Sequence, residues 1–325
     1  MIESSREAGD VPVGEDPARL LIEASSSGND TALQSLLSQP QWIKTILEEP
    51  DTISSEMRPL EGPNDVRQVM VTPMSNLERA LRAAAVNGQA AALSTLVTFA
   101  IQQDIHPDLV ARWIINKVIM SGHGAAFKAL ASGNPNVINF NVHHGFRPLY
   151  EAVRLRKPDV VAALLELGAD PFHPVELSRK LATYNSSLLS RAAFSEGPRM
   201  TEMLLECGLP VAQTAALHTA ACCGQLDTMR LLMDHGADLD EVLPNSSWFN
   251  WTPMHFAASR GRVDAMKLLE HSGARSELKD VNGRTPAQLL ELRNTLVEQR
   301  NNAEHKIPIG DEVSEDLVQC NHFLR

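Results

Sequence analysis

Two histidines and a pair of cysteines are the residues of this chain best placed to do chemistry. His218 and His255 each precede an alanine pair, Ala220-Ala221 and Ala257-Ala258, and Cys222-Cys223 follow the first of these pairs. A cysteine beside a histidine can supply a nucleophilic thiolate, because the imidazole takes the thiol proton. Here both cysteines come directly after the alanines on an expected helix, which is a packing or groove position, so the structural reading outweighs the nucleophile. His143-His144 and His173 are potential metal ligands, but no further ligand stands at helical or zinc-like spacing from them, and no metal is expected. Gly122-His123-Gly124 is no phosphate loop, since no strand precedes it and no Lys-Ser/Thr follows. Arg154, Arg156, Lys157, Arg179, Lys180 and Arg191 could gather an anion, but read more simply as solvated helix ends. No catalytic constellation and no cofactor site emerges.

The clearest of the elements that must position these residues runs from Trp251 to Ala274, WTPMHFAASRGRVDAMKLLEHSGA. Thr252 can cap a helix with its hydroxyl, and Pro253 suits the first turn, where its missing N–H is no loss. Met254, Ala257 and Ala258 share one face, and Gly261 can take the left-handed conformation that ends the helix. Val263, Met266, Leu268 and Leu269 give a second helix its apolar face, and Gly273 ends it. Helices of about 8–10 residues do not hold alone in water, so the unit must stack on copies of itself.

The copies are present. Thr285-Pro286-Ala287 repeats Thr252-Pro253-Met254 after 33 residues. Upstream, Ala215-Ala216-Leu217-His218 leads into Ala220-Ala221, Gly224, Leu231-Leu232 and Gly236-Ala237-Asp238. This order resembles the ankyrin repeat, with its period of 33 and its signature T-P-L-H-x-A. The resemblance implies an all-α solenoid of helix–turn–helix repeats. It also implies that His218 and His255 hydrogen-bond backbone between repeats.

Residues 1–16 are polar and without period, and are expected to be disordered. About seven repeats and a C-terminal cap then span 17–306, with a long insertion over about 47–75 and a shorter one over about 174–185. The first repeat is degenerate and keeps Leu21, Ala24, Gly28, Leu33, Leu36 and Leu37; the second keeps Leu81, Ala84, Ala85, Gly88 and Leu96; the third keeps Gly122 but loses the T-P-L-H segment. The fourth has Arg147-Pro148-Leu149-Tyr150 where the family has T-P-L-H, and Arg156 in place of the helix-ending glycine. The fifth retains Ala192-Ala193, Leu204-Leu205 and Gly208, and the eighth loses its pattern after Leu296. Residues 307–325 form an acidic tail.

The net charge of −11 resides in residues 1–20 (−3), 47–65 (−5) and 307–325 (−3), which leaves the repeat body neutral. A neutral body argues against nucleic-acid binding. No apolar run reaches the 18 or more residues of a membrane span. The four cysteines lack metal-ligand spacing, and the N-terminus has no basic-plus-apolar signal, so reduced thiols in the cytoplasm or the nucleus are expected.

In ankyrin proteins the variable recognition positions are three in the hairpin before T-P and two near the end of the inner helix. In repeats four to seven these positions include His143, His144, Phe146 and Arg154; Tyr184 and Phe194; Cys222; and Trp248, Phe249, Trp251, Ser259 and Arg260. Six of the twenty positions are aromatic, where a 5% background predicts one. Aromatics and arginine are what binding hot spots are made of. The expected function is recognition of a protein partner through a concave groove and hairpin tips. The alternative is a small-molecule site, even an unusual enzyme acting on an apolar metabolite in the aromatic-lined groove. An enclosed pocket of a few hundred Å3 with convergent polar groups would favour the second reading.

Overall fold

The structure, a computed structural model, describes residues 16–48, 74–140, 142, 147–172, 187–243 and 250–303. Among the described residues every regular element is a helix. They form two compact units that divide between Ala169 and Asp170. The first unit holds α1 (Pro17–Ser27), α2 (Asp30–Leu37), α3 (Pro40–Leu47), α4 (Asn76–Val86), α5 (Ala90–Gln102), α6 (Pro107–Ser121), α7 (Gly124–Gly133), α8 (Pro148–Arg154) and α9 (Pro158–Glu166), with a short 3-10 turn at Pro135–Asn139. The second holds α10 (Leu188–Ala193), α11 (Arg199–Glu206), α12 (Ala216–Cys223), α13 (Leu226–Asp234), α14 (Pro253–Ser259), α15 (Val263–His271) and α16 (Pro286–Ala303).

Each unit is a stack of helix pairs. In the first, the inner helices pack in the order α1, α4, α6, α8 and the outer helices in the order α2, α5, α7, α9. In the second, the inner row is α10, α12, α14, α16, and each of the first three carries its outer partner α11, α13 or α15. This is the all-α, paired-helix architecture expected of a solenoid. The alanine pairs explain the close inner rows: Ala84-Ala85, Ala220-Ala221 and Ala257-Ala258 are all fully buried. A side chain no larger than a methyl lets two helix backbones approach, and the interior then packs at the density of a crystal.

Local signals behave as the residue types dictate. Thr252 and His255 form a reciprocal capping box at the start of α14. At its end Gly261 has φ +67°, its N–H bonds to Ala258 O at 2.9 Å, and Arg262 N–H bonds back to Ala257 O at 2.8 Å. Arg156 ends α8 in the same way: its φ is +57°, and Lys157 N–H bonds to Ala152 O at 2.9 Å. An L-residue therefore occupies a left-handed position that glycine occupies in the neighbouring repeats.

Three departures were not expected from the sequence. Helix α3 falls between the first two repeats, buries Ile46, and is tied to the start of α4 by Asn76 Nδ2 donating to Thr45 O at 2.9 Å. Helix α6 runs 15 residues from Pro107, longer than the pattern implies, with His106 Nδ1 accepting the Asp108 N–H. Helix α16 is 18 residues long and so runs past the point where α12 and α14 end. The N-terminal 1–15, the greater part of the 47–75 insertion, the whole 174–185 insertion and the acidic tail lie outside the described residues.

Two substitutions test this description. Relief of the left-handed strain makes Arg156→Gly stabilising by about 0.5–1 kcal/mol, net of the extra entropy of glycine in the unfolded chain. A lower urea midpoint for that variant would contradict the strain. At Gly124 an added Cβ would run into the backbone carbonyl of Asp159 on α9, which cannot rotate away. Gly124→Ala should therefore cost about 1–3 kcal/mol in a urea melt, the usual range for overpacking.

Candidate binding surface

The two histidines are structural. His255 Nε2–H donates to Arg284 O at 3.2 Å, so its Nδ1 is an acceptor and takes the Thr252 hydroxyl at 2.9 Å and the Thr252 N–H at 3.3 Å. His218 Nε2–H donates to Glu241 O at 2.8 Å. Each ring thus links an inner helix to the chain entering the next repeat, the role that the resemblance implied. Ala215 stands where Thr252 stands in the next repeat and brings no hydroxyl. His218 Nδ1 is buried without a hydrogen-bond partner, 3.9 Å from Glu241 Oε2. Burial pushes the His218 pKa down from 6.5 to about 4, against the opposing effects of the Glu241 carbonyl and the Asp238 charge. Burial likewise lowers His255 and raises the Glu241 carboxyl.

Among the described residues Trp251 is the largest fully buried side chain, 1% exposed. It meets Phe256 edge-on at 5.3 Å between ring centroids, and Phe256 meets His218 edge-on at 5.5 Å. Trp251, Phe256, Cys222, Leu243, Ala258 and Leu289 belong to one apolar cluster. This overturns the expectation for the strongest member of the predicted binding face. Trp251 is core, because it packs edge-on against Phe256 within the cluster that Leu243 and Leu289 complete. Cys222 and Ser259 are each 2% exposed and leave the surface set for the same reason of burial. Phe194 and Arg260 are half-buried. His143, His144, Phe146, Tyr184, Trp248 and Phe249 lie outside the described residues.

Arg154 is exposed, but its guanidinium has a task in the fold. Nε and Nη2 donate to the two carboxylate oxygens of Glu151 at 2.8 and 2.6 Å, and Glu151 is buried. A buried carboxylate needs such a partner. Beside it, sequence reasoning missed two residues. Val86 is 50% exposed and Met120 is 54% exposed. They occupy the same place as Arg154, two residues before the helix-ending Gly88, Gly122 and Arg156 respectively. Helices α4, α6 and α8 pack in that order, so Val86, Met120 and Arg154 form a row along one face of the first unit. Counting two residues back from Gly88 and Gly122 locates both positions in the sequence.

A cavity of about 360 Å3 lies between α2 and α5, lined by residues including Gln34, Ser94, Thr95, Thr98 and Gln102. It is open and contains none of the aromatics on which the small-ligand reading rested. Among the described residues no group of three or more His, Cys, Asp or Glu is placed to hold a metal ion, and no helix is long and apolar enough to cross a membrane.

Residues 187–288 match the family model described as ankyrin repeats, in three copies. Among solved structures the chain is similar to the ankyrin repeat domain of Bcl-3, described as a unique member of the IkappaB protein family. That match has 20% identity, covers 65% of this chain and 96% of that chain, and has a TM-score of 0.46. It is also similar to the human ASB11 ankyrin repeat domain, with 20% identity, 89% of this chain and 99% of that chain covered, and a TM-score of 0.43. No curated protein matches the sequence.

Two measurements check the core assignments. Trp251→Ala should cost about 3–5 kcal/mol, as for other large-to-small changes at buried aromatics, and lower the urea midpoint of the second unit. For His218 the folded pKa lies below the unfolded one, so its contribution is fully present above pH 6.5 and is lost as the pH falls towards about 4. The loss is on the order of 3 kcal/mol at most. His255 acts in the same direction, whereas Glu241, raised by burial, acts in the opposite one. His218→Gln should flatten the decline in stability between pH 6.5 and 4, and an equally steep decline in the variant would remove His218 as its source.

Proposed function

We propose that this chain, an ankyrin-repeat protein, recognises a protein partner through the ends of the inner helices in its first unit. The observation that supports the reading is the row Val86, Met120, Arg154. Two aliphatic side chains, each about half exposed, stand on adjacent packed helices at the position where the repeat varies, with an arginine next in line. Single exposed apolar residues are ordinary, but an aligned pair beside a fixed guanidinium has the makings of a hot spot. The same positions in the second unit support a different use. Cys222 and Ser259 are buried there, and the cluster that includes Trp251 lies close by.

The reading places the partner's contacts on α4, α6 and α8, with the hairpin residues Phe146, His143 and His144 preceding α8 as further candidates. A cytoplasmic or nuclear location suits a binding protein of this composition and remains part of the proposal. The aromatic-lined groove proposed as a small-molecule site has no comparable support, since its central residue is core.

The test is a double substitution, Val86→Asp with Met120→Asp. Partners captured and cross-linked by the wild-type chain should be lost with the variant, at a cost of about 2 kcal/mol or more in affinity for the principal one. The helical circular-dichroism signal should be unchanged, because both side chains are exposed. Retention of every partner by the folded variant would sink the assignment. Arg154→Ala is unsuitable as a first test, since it strands the buried Glu151 carboxylate.

A further inference from the structure

Charge is segregated on the first unit, and the segregation specifies the partner. Successive inner helices there repeat every 34 residues, from Gly88 to Gly122 to Arg156. The positions two, five, six and nine residues before each of these three residues share one side of the helix. On α4 that side lies opposite Leu77, Ala80, Leu81, Ala84 and Ala85, which are buried. The three helices together give twelve such positions, N-cap of α8 included. The described residues of the first unit carry eleven Lys and Arg against ten Asp and Glu. The twelve positions hold five of those cations, Arg79, Arg82, Lys117, Arg147 and Arg154, and one of the acids, Glu151. A nearly neutral unit thus presents one face of net charge +4.

Two of the cations carry the argument. Arg79 in α4 and Arg147 at the N-cap of α8 occupy the same repeat position, and the half-buried Trp113 of α6 occupies it between them. Arg79 Nη1 donates to Asn76 Oδ1 at 3.3 Å, and Arg147 Nη1 donates to Asn139 Oδ1 at 3.2 Å. A neutral amide oxygen orients a guanidinium without cancelling its charge, whereas Arg154 is neutralised by Glu151. Val86 and Met120 lie seven residues further along α4 and α6, about 10 Å from the Arg79–Trp113 level. Basic and apolar groups therefore alternate over a single face.

We propose that the segment docked on this face is an acidic peptide, with carboxylates on Arg79 and Arg147 and apolar side chains on Trp113, Val86 and Met120. The proposal rests on the reading that the row Val86, Met120, Arg154 binds a protein. Arginine suits the task, because its planar fork meets a carboxylate with two parallel hydrogen bonds. Arg79 and Arg147 stand two helix spacings apart, roughly 16–20 Å. In an extended peptide that distance separates carboxylates about five or six residues apart. A phosphate backbone would meet the same arginines but would leave Val86 and Met120 without apolar partners. Sequence-independent nucleic-acid binding also draws on a wide basic surface, which a nearly neutral unit does not offer.

Fluorescence anisotropy on the full chain tests this. The probe is a labelled fourteen-residue peptide with four glutamates and three leucines in a Ser/Gly background, beside versions with glutamine or lysine in place of the glutamates. The glutamate peptide should bind at least tenfold more tightly than the glutamine one, and the lysine peptide should not bind. Raising NaCl from 50 to 500 mM should weaken the glutamate peptide at least tenfold and the glutamine peptide little, since exposed charges are screened. Arg79→Gln with Arg147→Gln should abolish the preference for glutamate while leaving the urea midpoint and the affinity for the glutamine peptide unchanged. Equal binding of the glutamate and glutamine peptides, binding of none of the three, or a preference that survives the double variant overturns the proposal. Tighter binding of a fourteen-nucleotide oligo-dT through the same two arginines also overturns it, and makes the partner a nucleic acid. The underlying reading fails separately: it falls if Val86→Asp with Met120→Asp retains every partner. Partners lost by that variant but kept by Arg79→Gln with Arg147→Gln leave the contact face standing and remove only its acidic specificity.

Discussion

Close approach of the inner helices is the constraint on which this structure depends. The fully buried alanines at 84–85, 220–221 and 257–258 set the spacing of each row, and every other feature is placed relative to it. Helices of six to eleven residues, the length of most inner helices here, do not persist in isolation, so each pair borrows its stability from the next. The same economy of space appears between outer helices at Gly124, where the chain comes so near Asp159 O that no side chain fits. Stacked repeats of this kind tolerate long excursions between repeats, provided that the rows remain in contact.

Polar groups buried by this packing are satisfied locally, and the exceptions are informative. His255 has all its hydrogen-bonding capacity used by Thr252 and Arg284. One repeat earlier Ala215 replaces the threonine at φ +60°, and Gln213, also at positive φ, donates its N–H to Glu241 Oε1 at 2.6 Å. The Glu241 carboxylate is thereby held near the orphaned His218 Nδ1 without reaching it. The repeat keeps its bond to the following chain at the cost of an unsatisfied imidazole nitrogen and two strained backbones.

The two units also differ at their inner-helix ends. In the second unit Leu243 and Trp251 join the core with Phe256 and Leu289, and Cys222 and Ser259 at the inner-helix ends are buried. In the first unit the equivalent ends stay open and carry Val86 and Met120 to solvent. The same repeat position is thus core in one unit and exposed in the other.

Much of the fold was legible in the sequence, because its signals are local. Thr252-Pro253 starts a helix, Gly261 ends one, and an Ala-Ala pair demands a close neighbour, whatever lies elsewhere in the chain. The 33-residue recurrence of these signals was enough to identify paired helices in stacks. Arg156 was recognisable as an anomaly for the same reason, although only the backbone showed that it adopts the left-handed angle and does not end the helix by another route. Helix α3 was not legible, since its eight residues carry no repeat signature and are held by contacts to α1, α2 and α4. The site was legible only as a set of positions. Nothing in the residue types distinguishes a tryptophan that waits for a partner from one that fills the space beneath its own hairpin, since both call for a large apolar surface. Burial is a property of what the rest of the chain places around a residue, and so tertiary packing alone decided that Trp251 belongs to the core while Val86 and Met120 face solvent.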